Sequence, residues 1–130
     1  MSIVDRQKTL VAGNWKMNNS LNEARSLVSA ITSHLEKDPE LYKNAEFLIC
    51  PSPLHVSNIT EILDGVPVHV GGQDCSFENN GAHTGDVSAE MLRDVGCRYV
   101  VLGHSERRQE HSESSALVAQ KSIAAHAQGL

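Results

Sequence analysis

The sequence predicts an α/β fold in which parallel strands alternate with helices along the chain. Short apolar runs recur, and runs of this length are typical of strands that are buried on both faces of a parallel sheet. Each run is followed by a segment with helical periodicity, so the units are right-handed βαβ crossovers. Four such units start near residues 9, 45, 67 and 98. This rhythm fits a doubly wound sheet and part of a (β/α) barrel equally well.

The first unit consists of a predicted strand over residues 9–15 and a helix that begins after Ser20. Ser20 and Glu23 have the spacing of a capping box, in which each residue satisfies an amide of the other. The apolar residues that follow share one helical face; they are Leu21, Ala24, Leu27, Val28, Ile31 and Leu35. Residues 37–44 are predicted to be a polar connection.

The second and third units follow the same plan. Residues 45–50 form a predicted strand, and Ser52 and Pro53 suit the cap and first position of the next helix. The inner face of that helix is predicted to hold Val56, Ile59, Ile62 and Leu63. Residues 67–72 form the third strand, where Gly71 and Gly72 are predicted to allow a close backbone approach.

The third strand leads into a polar loop over residues 73–86, after which Ser88 is predicted to begin a helix. Residues 97–103 form the fourth predicted strand, and the last helix covers residues 114–128. Lys121 lies on the inner face of this helix, which it is expected to cover with its aliphatic stem.

The length and composition indicate one domain, residues 1–130, with no internal boundary. The formal net charge of -5, without a run of basic residues, argues against binding to nucleic acid or to an anionic membrane. The apolar runs are too short to span a bilayer, and residues 1–8 lack the apolar core of a signal peptide. We therefore expect a cytoplasmic protein.

Three cysteines, without a C-x-x-C pair, fit a reducing compartment. Cys50 and Cys97 are predicted to be small core residues, whereas the polar surroundings of Cys75 leave its role open. The chain has no H-E-x-x-H motif and no regular histidine spacing, so we expect no bound metal. It also lacks the glycine-rich motifs of dinucleotide and Walker-type phosphate binding.

Residues 103–108 are the strongest functional signal, because this polar hexapeptide directly follows the apolar run of the fourth strand. In parallel α/β folds, ligands bind outside the carboxyl ends of the strands. Ser105 and Glu106 are predicted to open a helix, which places His104 at the positive end of the helix dipole. That field favours a neutral imidazole, which can donate a hydrogen bond to a carbonyl oxygen.

Asn14 and Lys16 end the first strand two residues apart, so their side chains share a face. A lysine there can hold an anion, and an asparagine adds a donor without charge. Glu106 is expected to offset the charge of Lys16. Each residue alone would more often be structural, but their common position at strand ends favours an active site.

Three motifs in these regions resemble those of the triosephosphate isomerase family. Residues 12–18 read AGNWKMN, residues 81–88 read GAHTGDVS and residues 103–108 read GHSERR, and Glu113 matches an acidic position of that family. The resemblance covers about residues 8–130. It implies the first four strand-helix units of a (β/α)8 TIM barrel, with parallel strands.

The resemblance also implies a reaction and roles for individual residues. The family interconverts dihydroxyacetone phosphate and D-glyceraldehyde 3-phosphate through an enediolate, without a cofactor. By position, Lys16 would bind the phosphorylated triose and stabilise negative charge, and His104 would polarise the carbonyl and move protons between the oxygens. Asn14 would bind substrate and orient Lys16, and Glu106 would be the acidic neighbour.

A homodimer is a further implication of the resemblance. The loop over residues 75–85 would insert into a second subunit, so that Thr84 reaches the partner's active site. The same contact is expected to include Met17, Gln73, Cys75 and Gly85. Asp74 and Asp86 stand where the family often has asparagine and glutamate, which leaves the local pairing at this interface open.

A complete barrel has eight strands and typically ~250 residues. From the resemblance we expect the catalytic glutamate and the glycine-rich phosphate loops to belong to a second half outside these 130 residues. The chain would then be a triosephosphate isomerase fragment with little activity alone. The alternative is a non-catalytic half-barrel that self-associates or complements a second chain.

Overall fold

The computed structural model describes residues 8–130. The prediction that residues 1–8 lack a signal peptide therefore falls, except for Lys8, outside the described residues. The described strands are β1 (Thr9–Asn14), β2 (Ala45–Cys50), β3 (Val68–Gly72) and β4 (Tyr99–Val100). The described helices are α1 (Leu21–Glu36), α2 (Leu41–Asn44), α3 (Val56–Ile62), α4 (Ala89–Asp94), α5 (Ser105–Glu110) and α6 (Ser115–Ala127).

The strands form one curled parallel sheet in the order β1-β2-β3-β4. In the register, Ala12 lies opposite Leu48, and Ile49 lies opposite Val70. A doubly wound sheet reverses its strand order at a switch point, whereas here each strand lies beside its sequence neighbour. The order therefore decides between the two architectures in favour of the first part of a TIM barrel.

Helix α1 forms as the sequence predicts. The Ser20 hydroxyl accepts a hydrogen bond from the Glu23 amide at 3.3 Å, and the Glu23 carboxylate accepts one from the Ser20 amide at 2.6 Å. Ala24, Val28 and Leu35 of its apolar face are buried. Leu21 and Leu27, which were expected on the same face, lie at its margins and are more than one third exposed.

The start of the helix in the second unit, and the connection that precedes this unit, differ from the prediction. Helix α3 starts at Val56 and not at Pro53. The reason is a tight turn before it, in which the His55 amide donates a hydrogen bond to the Ser52 carbonyl oxygen. The polar connection before β2 contains the short helix α2 rather than only loop.

Strand β4 is also shorter than predicted. Its ladder with β3 covers two residues. Hydrogen bonds from the Arg98 amide to the Val70 carbonyl and from the Val101 amide to the Gly72 carbonyl extend the contact at each end. Gly103 then adopts a φ of 64° and turns the chain into α5. The apolar run therefore ends in a turn and not in further strand.

The core lies between the outer face of the sheet and the helices, and all three cysteines are buried. Burial raises the pKa of Cys50 to about 11 and that of Cys97 to about 12, so both thiols are inert packing groups as predicted. Cys75 is likewise a core residue, and burial first, then the charge of Asp74, raises its pKa to about 11.

Gly71 and Gly72 permit the close approach that the sequence predicts. A Cβ atom on Gly71 would lie 2.9 Å from the Tyr99 carbonyl oxygen, and one on Gly72 would lie 2.6 Å from a methyl group of Leu92. Among residues 8–130, no helix is both long and apolar enough to cross a membrane.

Candidate active site

The carboxyl edge of the sheet brings Asn14, Lys16, His104 and Glu106 around one cavity of about 320 Å³. Asn14 ends β1, Lys16 lies in the loop that follows, and His104 and Glu106 lie at the start of α5. Parallel strands end at a common edge, which is why residues 90 positions apart meet here. Further lining residues are Met17, Pro53, Gln73, Asp74, Arg107, Glu110 and His111.

The ammonium group of Lys16 donates to the carboxylate of Glu106 at 2.5 Å. Their side chains are 49% and 45% exposed, so solvent screens the attraction. The hydrogen bond from Lys16 is the main cause that holds the pKa of Glu106 below its ordinary value. This carboxylate is therefore ionised at neutral pH and offsets the charge of Lys16.

The backbone of Lys16 is left-handed, with a φ of 54°. A residue with a side chain pays on the order of 1–3 kcal/mol for this conformation, so surrounding contacts must maintain it. One such contact is the hydrogen bond that the Lys16 amide donates to the side-chain oxygen of Asn14 at 2.9 Å. Asn14 thus orients Lys16 through its backbone.

His104 is the N-cap residue of α5, and its Nδ1 accepts a hydrogen bond from the Glu106 amide at 3.3 Å. A backbone amide always carries its hydrogen, so Nδ1 acts as an acceptor and the ring proton is on Nε2. Nδ1 also lies 3.5 Å from Oε2 of Glu106, but an Nδ1 that accepts from the Glu106 amide carries no proton to share with that oxygen, so this contact is not an ion pair. The ring can donate through Nε2–H.

Comparison with known proteins decides what this arrangement belongs to. The sequence profile of the family described as triosephosphate isomerase matches residues 9–130. The chain belongs to this family.

Individual triosephosphate isomerases agree with this result. The protein of Granulibacter bethesdensis is 44% identical over 123 residues, which are 95% of this chain and 48% of that relative. The protein of Brucella abortus is 44% identical over 126 residues, which are 95% of this chain and 47% of the relative. The crystal structure of triosephosphate isomerase from Bartonella henselae is 39% identical with a TM-score of 0.79, over 95% of this chain and 49% of that one.

The chain spans about half the length of the curated relatives that it matches. The fold and family expected from the sequence motifs are confirmed. The roles of individual residues stay predictions, and the geometry describes only where they lie.

Residues that the triosephosphate isomerase resemblance assigns to a dimer contact fall into two groups. Met17 is 96% exposed beside the cavity, and Thr84 and Gly85 are exposed in the long loop after β3. Gln73 is partly buried, and the Cys75 thiol is buried inside this chain. The exposed residues are accessible to a second subunit, whereas the Cys75 side chain packs in the core of this chain.

One charged group of this triosephosphate isomerase domain was not predicted. Glu113 accepts hydrogen bonds from Arg107 at 2.7 Å and from Lys121 at 2.9 Å, and Asp74 pairs with the same two cations at 3.1 Å and 2.9 Å. We call these four residues the buried ion cluster. The available signal was a lysine on a buried helical face, because a buried ammonium group needs anionic partners.

Arg107 of this cluster is partly buried. Within residues 8–130, no group of three or more histidine, cysteine, aspartate or glutamate side chains is placed to hold a metal ion.

Proposed function

We propose that this domain supplies the electrophilic part of a triosephosphate isomerase site, which interconverts dihydroxyacetone phosphate and D-glyceraldehyde 3-phosphate. The observation that carries the proposal is the convergence of Lys16 and His104 on one cavity, with Nδ1 of His104 occupied as an acceptor. Such a site presents one cation and one neutral N–H donor to a bound oxygen.

The reaction needs both groups. When a proton leaves the carbon beside the carbonyl, the electron pair moves onto the carbonyl oxygen and an enediolate forms. The Lys16 ammonium would stabilise this negative charge, and the Nε2–H of His104 would donate to the same oxygen and then transfer a proton between the two oxygens. Asn14 would hold Lys16 in place, and Glu106 would hold the ammonium group before substrate binds.

The base that removes the carbon-bound proton is a separate question. Three carboxylates line the cavity. Glu106 is bound by Lys16, Asp74 is bound by Arg107 and Lys121, and Glu110 is the last residue of α5. The first two carboxylates are engaged by cations, and the family resemblance assigns the base to a glutamate of the second half and not to the position of Glu110. We therefore propose that the base and the phosphate-binding loops come from outside residues 8–130, and that these residues alone turn over negligibly.

A cytoplasmic homodimer is part of the same proposal, with the loop over residues 75–85 as its contact. An isolated β-bridge joins Ser76 at the start of this loop to Ser88 beyond its end. Within the loop region, the Asp86 amide donates a hydrogen bond to the His83 carbonyl oxygen. Residues 79–86 are exposed. A pre-organised, exposed loop suits insertion into a second subunit, and light scattering of the purified protein tests the oligomeric state.

The second candidate is a half-barrel that complements another chain without catalysis. It is favoured by β1, which pairs only with β2 among the described residues and leaves Leu10 45% and Val11 47% exposed. Parallel strands are ordinarily buried on both faces, so this edge favours a partner. Both candidates predict association, and only the first predicts catalysis that depends on Lys16 and His104.

The experiment joins residues 1–130 to the second half of the Brucella abortus relative and measures isomerisation of dihydroxyacetone phosphate. We expect the joined protein to be active and residues 1–130 alone to be inactive. In the joined protein, His104→Gln should lower kcat by about 10²–10⁴ and Lys16→Met by at least ~10². Lys43→Met is the matched control, because Lys43 forms only an exposed ion pair with Glu40.

Two results would contradict the proposal in different ways. Activity of residues 1–130 alone at the rate of the joined protein would show that the base lies within them. Full activity of the joined His104→Gln and Lys16→Met variants would remove both residues from the site and favour the non-catalytic candidate.

A further inference from the structure

Gln73 connects the ends of three strands at the edge of the candidate site. It follows β3 directly, and its side-chain Nε2 donates to the Lys16 carbonyl oxygen at 2.8 Å and to the Cys50 carbonyl oxygen at 2.9 Å. Lys16 follows β1, and Cys50 is the last residue of β2. A single amide group therefore joins the loops after β1 and β3 to the end of β2.

The orientation of this amide follows from its partners. An NH2 group has two hydrogens, and both acceptors are backbone carbonyls, which cannot donate. The opposite orientation would place the Gln73 carbonyl oxygen against two other carbonyl oxygens. Only the donor can face Lys16 and Cys50.

The bond to Lys16 has a particular consequence because the backbone of that residue is left-handed. Its amide is bound by the Asn14 side chain and its carbonyl by the Gln73 side chain. Neither bond belongs to a helix or a strand ladder. The unfavourable conformation of Lys16 is thus held by two side chains, one on each side of its α-carbon.

The residue after Gln73 fixes the opposite side of the cavity. Asp74 pairs with Arg107 at 3.1 Å, and Arg107 follows Glu106, the partner of Lys16, in α5. Two consecutive residues, Gln73 and Asp74, therefore contact the segments that carry Lys16 and Glu106.

We infer that Gln73 is a positioning residue for Lys16, which it acts on through the backbone and not through substrate. The inference rests on the proposed function where it concerns ligand binding. It assigns Gln73 a role inside its own chain, in addition to the interface position that the family resemblance implies.

The test uses two substitutions that remove both donors. Gln73→Met keeps an unbranched side chain of similar length, and Gln73→Glu keeps the shape but replaces the NH2 group with oxygen. Gln120→Met is the matched control, because Gln120 lies on the exposed face of α6. The first readout is the set of Lys16 Cα and Cβ chemical shifts, which report its backbone conformation without any ligand. The second, measured on the joined protein described above, is the Kd for 2-phosphoglycolate, a phosphorylated carboxylate with the charge pattern of an enediolate intermediate.

We expect both Gln73 variants to stay folded, to shift the Lys16 signals away from the left-handed range and to bind 2-phosphoglycolate about tenfold more weakly, the equivalent of one lost hydrogen bond. Gln120→Met should change neither readout. Unchanged Lys16 signals in both variants would overturn the inference. Unfolding of both variants would also overturn it, since Gln73 would then serve the whole fold.

The two proposals fail in distinguishable ways. If the unsubstituted joined protein does not bind 2-phosphoglycolate, the proposed function fails. The Lys16 signals of the Gln73 variants still decide whether Gln73 sets the backbone of Lys16.

Discussion

Two charged groups lie beside each other at the carboxyl edge of the sheet, and they differ in exposure. Lys16 and Glu106 form a single ion pair in which both side chains are nearly half exposed. In the buried ion cluster, the side chains of Glu113 and Lys121 are 2% and 8% exposed. Arg107 is next to Glu106 in sequence, so one short helix contributes to both groups.

The difference in exposure separates two functions of charge. A buried carboxylate such as Glu113 must be matched by cations, because an unpaired charge there loses its solvation. A half-exposed pair is weak, and its partners can exchange at little cost. Under the proposed function, Lys16 would leave Glu106 for a substrate anion, whereas Lys121 is committed to Glu113 and Asp74.

The largest expected effect comes from breaking the buried ion cluster at Lys121. Lys121→Met leaves Glu113 buried with Arg107 as its remaining cation, and we expect a loss of about 3–5 kcal/mol in the free energy of unfolding. Urea denaturation measures this loss. The exposed control Lys43→Met should cost no more than ~1 kcal/mol.

A double variant sharpens this result. Replacing Glu113 with leucine in the Lys121→Met background removes the uncompensated carboxylate, and part of the lost stability should return. A loss that is equal in both proteins would indicate that packing of the Lys121 stem, and not its charge, stabilises the fold.

Acidification is the next test, and its direction follows from Glu113. Burial alone would raise the pKa of this carboxyl, but hydrogen bonds from Lys121 and Arg107 hold it below the ordinary value of 4.5. A group with a lowered folded pKa stabilises the protein above its unfolded pKa, and this contribution is lost as the pH falls through the folded value. Unfolding free energy should therefore decline from roughly pH 5 downward.

Glu113→Gln should flatten that decline, and chemical denaturation at a series of pH values measures it. Glu106→Gln is the matched comparison, because the pKa of Glu106 is also lowered but its side chain is half exposed. A larger flattening from Glu106→Gln than from Glu113→Gln would show that the exposed carboxylate, and not the buried one, contributes more to the pH dependence of stability.

The sequence predicted those features that depend on nearby residues. The capping box of Ser20 and Glu23, the bounds of β2 and the position of Lys16 after β1 all follow from local patterns. The length of β4 could not be predicted, because a β-forming run does not show how many of its residues find a partner strand.

The contacts that the sequence did not predict join distant residues. Lys121 meets Asp74 across 47 positions, and Gln73 meets Lys16 across 57. No helical or strand periodicity encodes such pairs, which exist only because the sheet brings its strand ends together. The chemical roles proposed for His104 and Lys16 rest on residue type and family resemblance, whereas their proximity follows from the parallel order of the strands.

The smallest expected change in stability is at Lys16, where the expected change in function is large. Lys16→Met breaks an exposed ion pair, so the free energy of unfolding should change by no more than about 1 kcal/mol. Retaining a side chain at this position keeps the same left-handed backbone, which limits the comparison to the charge. Urea denaturation measures the stability, and binding of 2-phosphoglycolate by the joined protein measures the function. A destabilisation as large as that of Lys121→Met would show that the exposed pair is a structural element like the buried ion cluster. A small change in stability with lost binding would instead show that the lysine is retained for an anion that is absent until substrate arrives.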